Sequence, residues 1–179
     1  MKYYLYILLT SILVIICTTV FCQSFNWVKH EGGFGYDISS ASCKDLNGNI
    51  YISAVGGGGG NTVIIANDTF SVSGQDDMFL IKYDPNGNHI WTKQFGGNNY
   101  QTIPTYYAEA ITNVVFDSAS NCIYITGTYY QICQFDTITL NAQSGYTDNF
   151  LARLDANGNF IWVKNISSLP GGVESGNIL

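Results

Sequence analysis

Gly74-Gln75-Asp76-Asp77-Met78-Phe79-Leu80-Ile81-Lys82-Tyr83-Asp84-Pro85-Asn86-Gly87-Asn88-His89-Ile90-Trp91-Thr92-Lys93 returns in the same chain 71 residues later. The second copy runs Gly145-Tyr146-Thr147-Asp148-Asn149-Phe150-Leu151-Ala152-Arg153-Leu154-Asp155-Ala156-Asn157-Gly158-Asn159-Phe160-Ile161-Trp162-Val163-Lys164. The two agree in register at Gly, Asp, Phe, Leu, Asp, Asn-Gly-Asn, Ile-Trp and Lys, with Lys exchanged for Arg at one further place. Phe, Ile, Tyr and Trp fit a pleated surface, and Asp-x-Asn-Gly between two such runs is a hairpin signal. Asp84 opens the turn by accepting local backbone hydrogen bonds, Pro85 sets φ, and Gly87 supplies the left-handed residue of a bulge. Asp155-Ala156-Asn157-Gly158 and Asp45-Leu46-Asn47-Gly48 follow the same plan.

Outward from this hairpin the repetition continues. Asn49-Ile50-Tyr51-Ile52-Ser53 matches Cys122-Ile123-Tyr124-Ile125-Thr126 at an offset of 73, and Trp27-Val28-Lys29-His30-Glu31-Gly32-Gly33 parallels Trp91-Thr92-Lys93-Gln94-Phe95-Gly96-Gly97. Each repeat therefore parses into four strands. The first has A near Tyr36–Cys43, B near Asn49–Val55, C near Met78–Asp84 and D near His89–Phe95. The second has A near Ala110–Asp117, B near Cys122–Tyr129, C near Asn149–Asp155 and D near Phe160–Asn165. Between B and C, Thr62–Ile65 with Asp68–Val72, and Cys133–Asp136 with Thr137–Leu140, read as an extra hairpin decorating that connection. No window after residue 22 sustains a helical period. The expected class is all-β.

Composition agrees. Only 11% of the residues are charged, against roughly 25% in an ordinary soluble domain; polarity comes instead from 19 Gly, 17 Asn and many Ser and Thr. A net charge of −6 without any Lys/Arg cluster argues against nucleic acid and against an anionic membrane surface as partners. Lys2 followed by an uncharged run from Tyr3 to Cys22 is the pattern of a secretory signal, with cleavage before Gln23 and an uncleaved anchor as the lesser alternative. Three cysteines follow it: Cys43, Cys122 and Cys133. They read as small buried hydrophobes, with a Cys122–Cys133 bridge as the alternative.

These motifs together resemble the secreted bacterial β-propeller repeat family, the SBBP type common in exported proteins of Bacteroidota. The residues that carry the resemblance are Phe95-Gly96-Gly97, Asp117, Ile123-Tyr124-Ile125-Thr126-Gly127, Gly145, Asp148, Phe150-Leu151, Arg153-Leu154-Asp155, Gly158-Asn159 and Trp162. The chain departs from the pattern at Ala119-Ser120-Asn121-Cys122, in place of a Ser-Gly-Asn turn, and at the long Tyr-rich link Asn98–Ala108. The resemblance implies propeller blades and export, and transfers no catalytic residue. Residues 1–22 are then the signal peptide and 23–33 an orphan strand D. Residues 34–97 form blade 1, 98–167 blade 2, and 168–179 the start of a further blade. Blades stack face to face, which suits Met78-Phe79-Leu80-Ile81, apolar on both faces.

The expected function is a non-catalytic binding or scaffold module at the cell surface or outside the cell, with a glycan or protein ligand and no cofactor. The alternative is part of a propeller enzyme of glycosidase, lyase or quinoprotein type, whose catalytic residues lie in missing blades. Asp77 repeats as Asp148, Asp84 as Asp155 and Asp45 roughly as Asp117, so these read as turn and strand caps. Asp37, Asp68, Glu109 and Glu174 read as unrepeated and are the acids an enzyme would draw on. His89 becomes Phe160, and His30 becomes Gln94 and Asn165. The Asp-x-Asn-Gly turns lack the twelfth-position acid of a calcium loop, and the Gly56–Gly60 tract lacks the Lys-Ser/Thr of a phosphate loop. Trp91 and Trp162 read as packing anchors. Closed propellers have about four to eight blades, so the expectation is an incomplete ring with downstream blades missing, or self-association.

Overall fold

Turn chemistry sets the architecture, strand by strand. In the computed structural model, which describes residues 26–33, 35–58, 62–97, 109–142 and 147–166, Asp84 Oδ1 accepts from the backbone N–H of Asn86 and Asn88, both at 2.8 Å. Asp155 Oδ1 does the same for Asn157 and Asn159 at 2.9 Å, and Asp45 Oδ1 for Asn47 and Asn49 at 2.9 Å. Gly48, Gly87 and Gly158 then take φ of +82°, +81° and +84°, which an L side chain resists. In the corresponding turn of the second repeat, Asn121 stands where Gly48 stands in the first and adopts φ +51°, a conformation Asn tolerates better than most residues. The signal segment 1–22, the Asn98–Ala108 link, Glu174 and the 168–179 segment lie outside the described residues.

The strands are β1 (Gly32–Gly33), β2 (Asp37–Lys44), β3 (Ile50–Gly57), β4 (Thr62–Ile65), β5 (Asp68–Ser71), β6 (Asp76–Tyr83) and β7 (His89–Gly96). The second repeat adds β8 (Ala110–Asp117), β9 (Cys122–Tyr130), β10 (Ile132–Phe135), β11 (Ile138–Asn141), β12 (Thr147–Asp155) and β13 (Phe160–Ile166). No helix occurs among the described residues. The expected strands A to D are β2, β3, β6 and β7 in the first repeat and β8, β9, β12 and β13 in the second, all antiparallel. Bulges fall at equivalent places, between Lys82 and Tyr83 and between Arg153 and Leu154, where the extra turn residue must be absorbed.

The sheets differ from the expected pair of four-stranded units. Their orders are β1-β4-β5, β11-β10-β7-β6-β3-β2 and β13-β12-β9-β8. Each inserted hairpin leaves its own repeat and joins the end of the strand before that repeat. β4 pairs with β1 through Gly32↔Ile64 and Gly33↔Val63, and β10 pairs with β7 through Gln134↔Gly96. The reason is the edge: a terminal strand exposes unpaired backbone groups, and a neighbouring hairpin that satisfies them is stabilised there.

Two apolar clusters follow. Phe79, Ile81 and Tyr83 project from one face of β6 onto Val63 and Ile65 of the first hairpin. Met78 and Leu80 project from the other face into a larger core with Ile111, Ile123, Phe135, Phe150 and Leu154 of the second repeat. The two repeat sheets therefore pack face to face, with the Phe95, Phe135, Phe150 and Phe160 rings tilted or edge-on at centroid separations of 4.9–6.5 Å.

Candidate functional site

The seam between the repeats is built around Tyr51, in the middle of β3. Lys82 Nζ lies 4.9 Å from its ring centroid, Trp91 packs at 5.9 Å, and Phe116 of the second repeat stacks on it at 6.0 Å and 12°. Lys82 Nζ and Trp91 Nε1 both donate to the carbonyl oxygen of Ala156, at 3.1 and 3.4 Å. Gly158 lies beneath the indole: a Cβ there would come within 3.2 Å of the Trp91 ring. A cation, a tyrosine and a tryptophan on one sheet thus clamp the hairpin turn of the next.

The clamp recurs one step earlier in the chain. Trp27 Nε1 donates to Pro85 O at 3.1 Å, and a Cβ on Gly87 would meet its ring at 2.6 Å. Pro85 and Gly87 are the repeat equivalents of Ala156 and Gly158. The aromatic-cation cluster recurs again one step later. Arg153 lies 5.7 Å from the Tyr124 ring and Trp162 6.1 Å from it. Here no turn covers the group among the described residues. Tyr124, Leu151, Arg153 and Trp162 are half-buried, Val115 beside them is 50% exposed, and Arg153 Nε is enclosed without a hydrogen-bond partner. This uncovered face is the strongest candidate site. The sequence signal for it is the repeated Tyr at the centre of strand B together with the conservative Lys-to-Arg exchange on strand C.

A second convergence, of acids, was hidden. β2 pairs Asp37 with Gly56 and β8 pairs Ala110 with Thr128, so Glu109 occupies the position of Asp37. Asp37 Oδ2 accepts from Gly33 N at 2.7 Å, and Glu109 Oε2 accepts from Gly97 N at 3.3 Å. The two acids read as unrepeated are therefore one repeated device that tethers strand A to the Gly-Gly end of the preceding strand D. Glu109 is only 5% exposed and lies beside Asp77, which is 2% exposed. Burial, followed by the nearby Asp77 charge, pushes the Glu109 carboxyl up to about 9. Burial also raises Asp77, against hydrogen bonds from Ser73 and Gln94; Gln94 Nε2 reaches Asp77 Oδ2 at 2.6 Å. A neutral carboxyl beside a carboxylate has the chemistry of a proton donor and acceptor, but both groups are closed off from solvent.

The other sequence candidates stay apart. Asp68 is exposed at the start of β5 and His30 is exposed. His89 Nε2 is 2.8 Å from Thr92 Oγ1 and its ring packs edge-on against Tyr83. Cys43, Cys122 and Cys133 are free thiols, so the alternative Cys122–Cys133 bridge does not form. Burial pushes the Cys43 thiol up to about 11 and raises Cys133 as well, which makes both poor nucleophiles. Among the described residues no three His, Cys, Asp or Glu side chains are grouped to hold a metal ion, and no helix is long and apolar enough to cross a membrane.

Compared with known proteins, the chain matches no protein family and no curated protein.

Proposed function

We propose that this chain is an exported β-propeller repeat protein of the SBBP type, acting outside the cell as a non-catalytic scaffold or binding module. The observation that supports it most is the recurrence of one tryptophan-on-turn contact, Trp27 on Pro85 and Gly87 and then Trp91 on Ala156 and Gly158. A contact that repeats from one repeat to the next is what stacked blades of a propeller require. The acids support the non-catalytic part. Asp37 and Glu109 hold backbone N–H groups, and Asp45, Asp84 and Asp155 hold turns. Export rests on the apolar run behind Lys2. Exposed turn amides such as Asn47, Asn86, Asn88, Asn157 and Asn159 suit glycan or protein ligands, which amide groups recognise.

The test is expression of the full-length chain in a Gram-negative host, followed by fractionation and intact mass. The expected product lies outside the cytoplasm and begins at Gln23. A chain recovered from the cytoplasm with Met1 in place ends the export reading. Binding of the exported product to a glycan array or to surface protein, with no hydrolysis of the bound glycans, is the expected activity. Turnover of any of them would return the enzyme alternative.

A further inference from the structure

Three successive positions in the chain carry the same tryptophan: Trp27, Trp91 and Trp162. Two of them donate an indole N–H to the second residue of the Asp-x-Asn-Gly turn between strands C and D of the next repeat, and both lie over that turn's glycine. The third, Trp162, has its companions Tyr124 and Arg153 already in place, but no turn to clamp among the described residues.

The geometry points to a second copy of this chain as the occupant of that face: we propose that Trp162 and Arg153 clamp the Asp84–Asn88 turn of another molecule, displacing its own Trp27. The argument is continuity with an interface already built. The face that the second repeat presents matches, at four central positions, the face that the first repeat presents to it. Tyr51, Leu80, Lys82 and Trp91 become Tyr124, Leu151, Arg153 and Trp162. The Asp84–Asn88 turn has the shape this face accepts, because Gly87 matches Gly158 in φ to within a few degrees and its carbonyl at Pro85 already takes an indole donor.

The resident donor lies on an irregular segment. Residues 26–31 belong to no strand, Val28 is 79% exposed, and the segment is fastened by Trp27, by two pairings of β1, by the bond from Gly33 N to Asp37 Oδ2 and by Glu31. Glu31 accepts from Tyr83 Oη at 2.7 Å and Ala66 N at 2.8 Å. The strand that would replace it is regular: β13 forms an edge of its sheet among the described residues, and Ile166, the counterpart of Phe95 and Glu31, is exposed and would cover Tyr83 with apolar surface. Segment 26–33 is then a placeholder within each molecule. Exchange of it joins molecules head to tail, a heterologous contact that closes into a ring or grows as a filament. The inference stands on the repeat geometry and not on export or on ligand binding.

The experiment is sedimentation velocity over a concentration series on the full chain, in the form the host cell leaves it. Three proteins are compared: the unaltered chain, Trp162→Ala and Trp27→Ala. Circular dichroism and a thermal melt accompany each. The unaltered chain associates with rising concentration and Trp162→Ala stays monomeric. Trp27→Ala, with its acceptor turn vacated, associates at a concentration lower by roughly tenfold or more, the change that about 1.4 kcal/mol of relieved competition produces. Should Trp162→Ala fail to fold, Arg153→Ala and Trp162→Phe, which remove one donor each, replace it and weaken association. Opposite effects at Trp27 and Trp162 establish the exchange. Equal effects at the two positions, or a Trp27→Ala protein that stays monomeric at every concentration, overturn it and leave the face to a different chain.

Discussion

Strands β6 and β12 are copies of each other, yet they are buried differently. From Asp77 to Tyr83 every residue of β6 is buried; along β12, Asp148, Phe150, Ala152 and Leu154 are buried and Asn149, Leu151 and Arg153 between them are not. The fully buried parity is common to both strands and faces the preceding element. The other parity faces the following element, which the first repeat has in the shape of β8, β9 and the Ala156–Gly158 turn. Leu80 and Leu151 are the same residue at the same place on the same strand. Their burial differs because of what lies beyond, so identity in a repeat does not carry identity of environment.

The sharpest test of that contrast is truncation of the shared leucine. Leu80→Ala removes a fully buried side chain and should cost about 3 kcal/mol, whereas Leu151→Ala, at a half-open position, should cost about 1 kcal/mol. Equal losses in urea denaturation would break the comparison. Next come the two turn glycines. Gly158→Val and Gly87→Val both force a β-branched residue into φ near +80°, a cost of roughly 2 kcal/mol. Gly158→Val should be the worse, because Trp91 is held within β7 while Trp27 lies on a segment outside any strand. Gly87→Val should instead release Trp27, seen as a red shift in indole emission; without that shift, Trp27 is as firmly seated as Trp91.

The turn aspartates divide in the same way. Asp45 is buried and accepts from Asn47, Asn49 and the Tyr51 hydroxyl, with Lys82 Nζ at 3.9 Å. Burial works against its charge, but the Asn49, Tyr51 and Asn47 donors outweigh it and hold the carboxyl below its ordinary value. Asp45→Ala should cost about 2 kcal/mol. Asp84→Ala, at an exposed turn whose carboxyl is held low by Asn88, Asn86 and Gly87, should shift the melting midpoint less.

Stability should also slope with pH. Glu109 has a folded value of about 9, against about 4.3 for a Glu in an unfolded chain. The folded state therefore holds the proton more tightly, and stability is full below the unfolded value and is lost as pH rises toward 9. Asp77, also raised by burial, adds to the loss. Differential scanning calorimetry should show the midpoint falling between about pH 5 and 9. Glu109→Gln should flatten that fall, and an unchanged slope would place the titrating group elsewhere.

The strands were legible in the sequence because the two signals that define them are local. A Tyr-centred run such as Ile50-Tyr51-Ile52 declares a strand, and Asp84-Pro85-Asn86-Gly87 declares where it turns. The destination of the inserted hairpins was not, since β10 meets β7 at one pair of residues and nothing within Ile132–Phe135 says which sheet edge is vacant. The equivalence of Asp37 and Glu109 was lost for another reason. The segments before them differ in length and composition, and only pairing across the sheet restores the register. The Trp162 face was half legible: its aromatic residues repeat in plain sight, but only the covered copy at Trp91 reveals what such a face holds.

The hairpin that crosses from one repeat to the sheet of the one before it has a consequence for how such a chain is made and how it changes. A boundary drawn where the sequence repeats, near residue 97, cuts through a hydrogen-bonded sheet, because β10 and β11 complete the first sheet from the far side of that line. During synthesis the first sheet emerges before the hairpin that finishes it, so its last strand waits on translation of about 40 more residues, a delay of some seconds. Duplication or loss of a unit is seamless only when the breakpoints fall at equivalent places within two units, so that each inserted hairpin still finds a Gly-Gly strand end ahead of it.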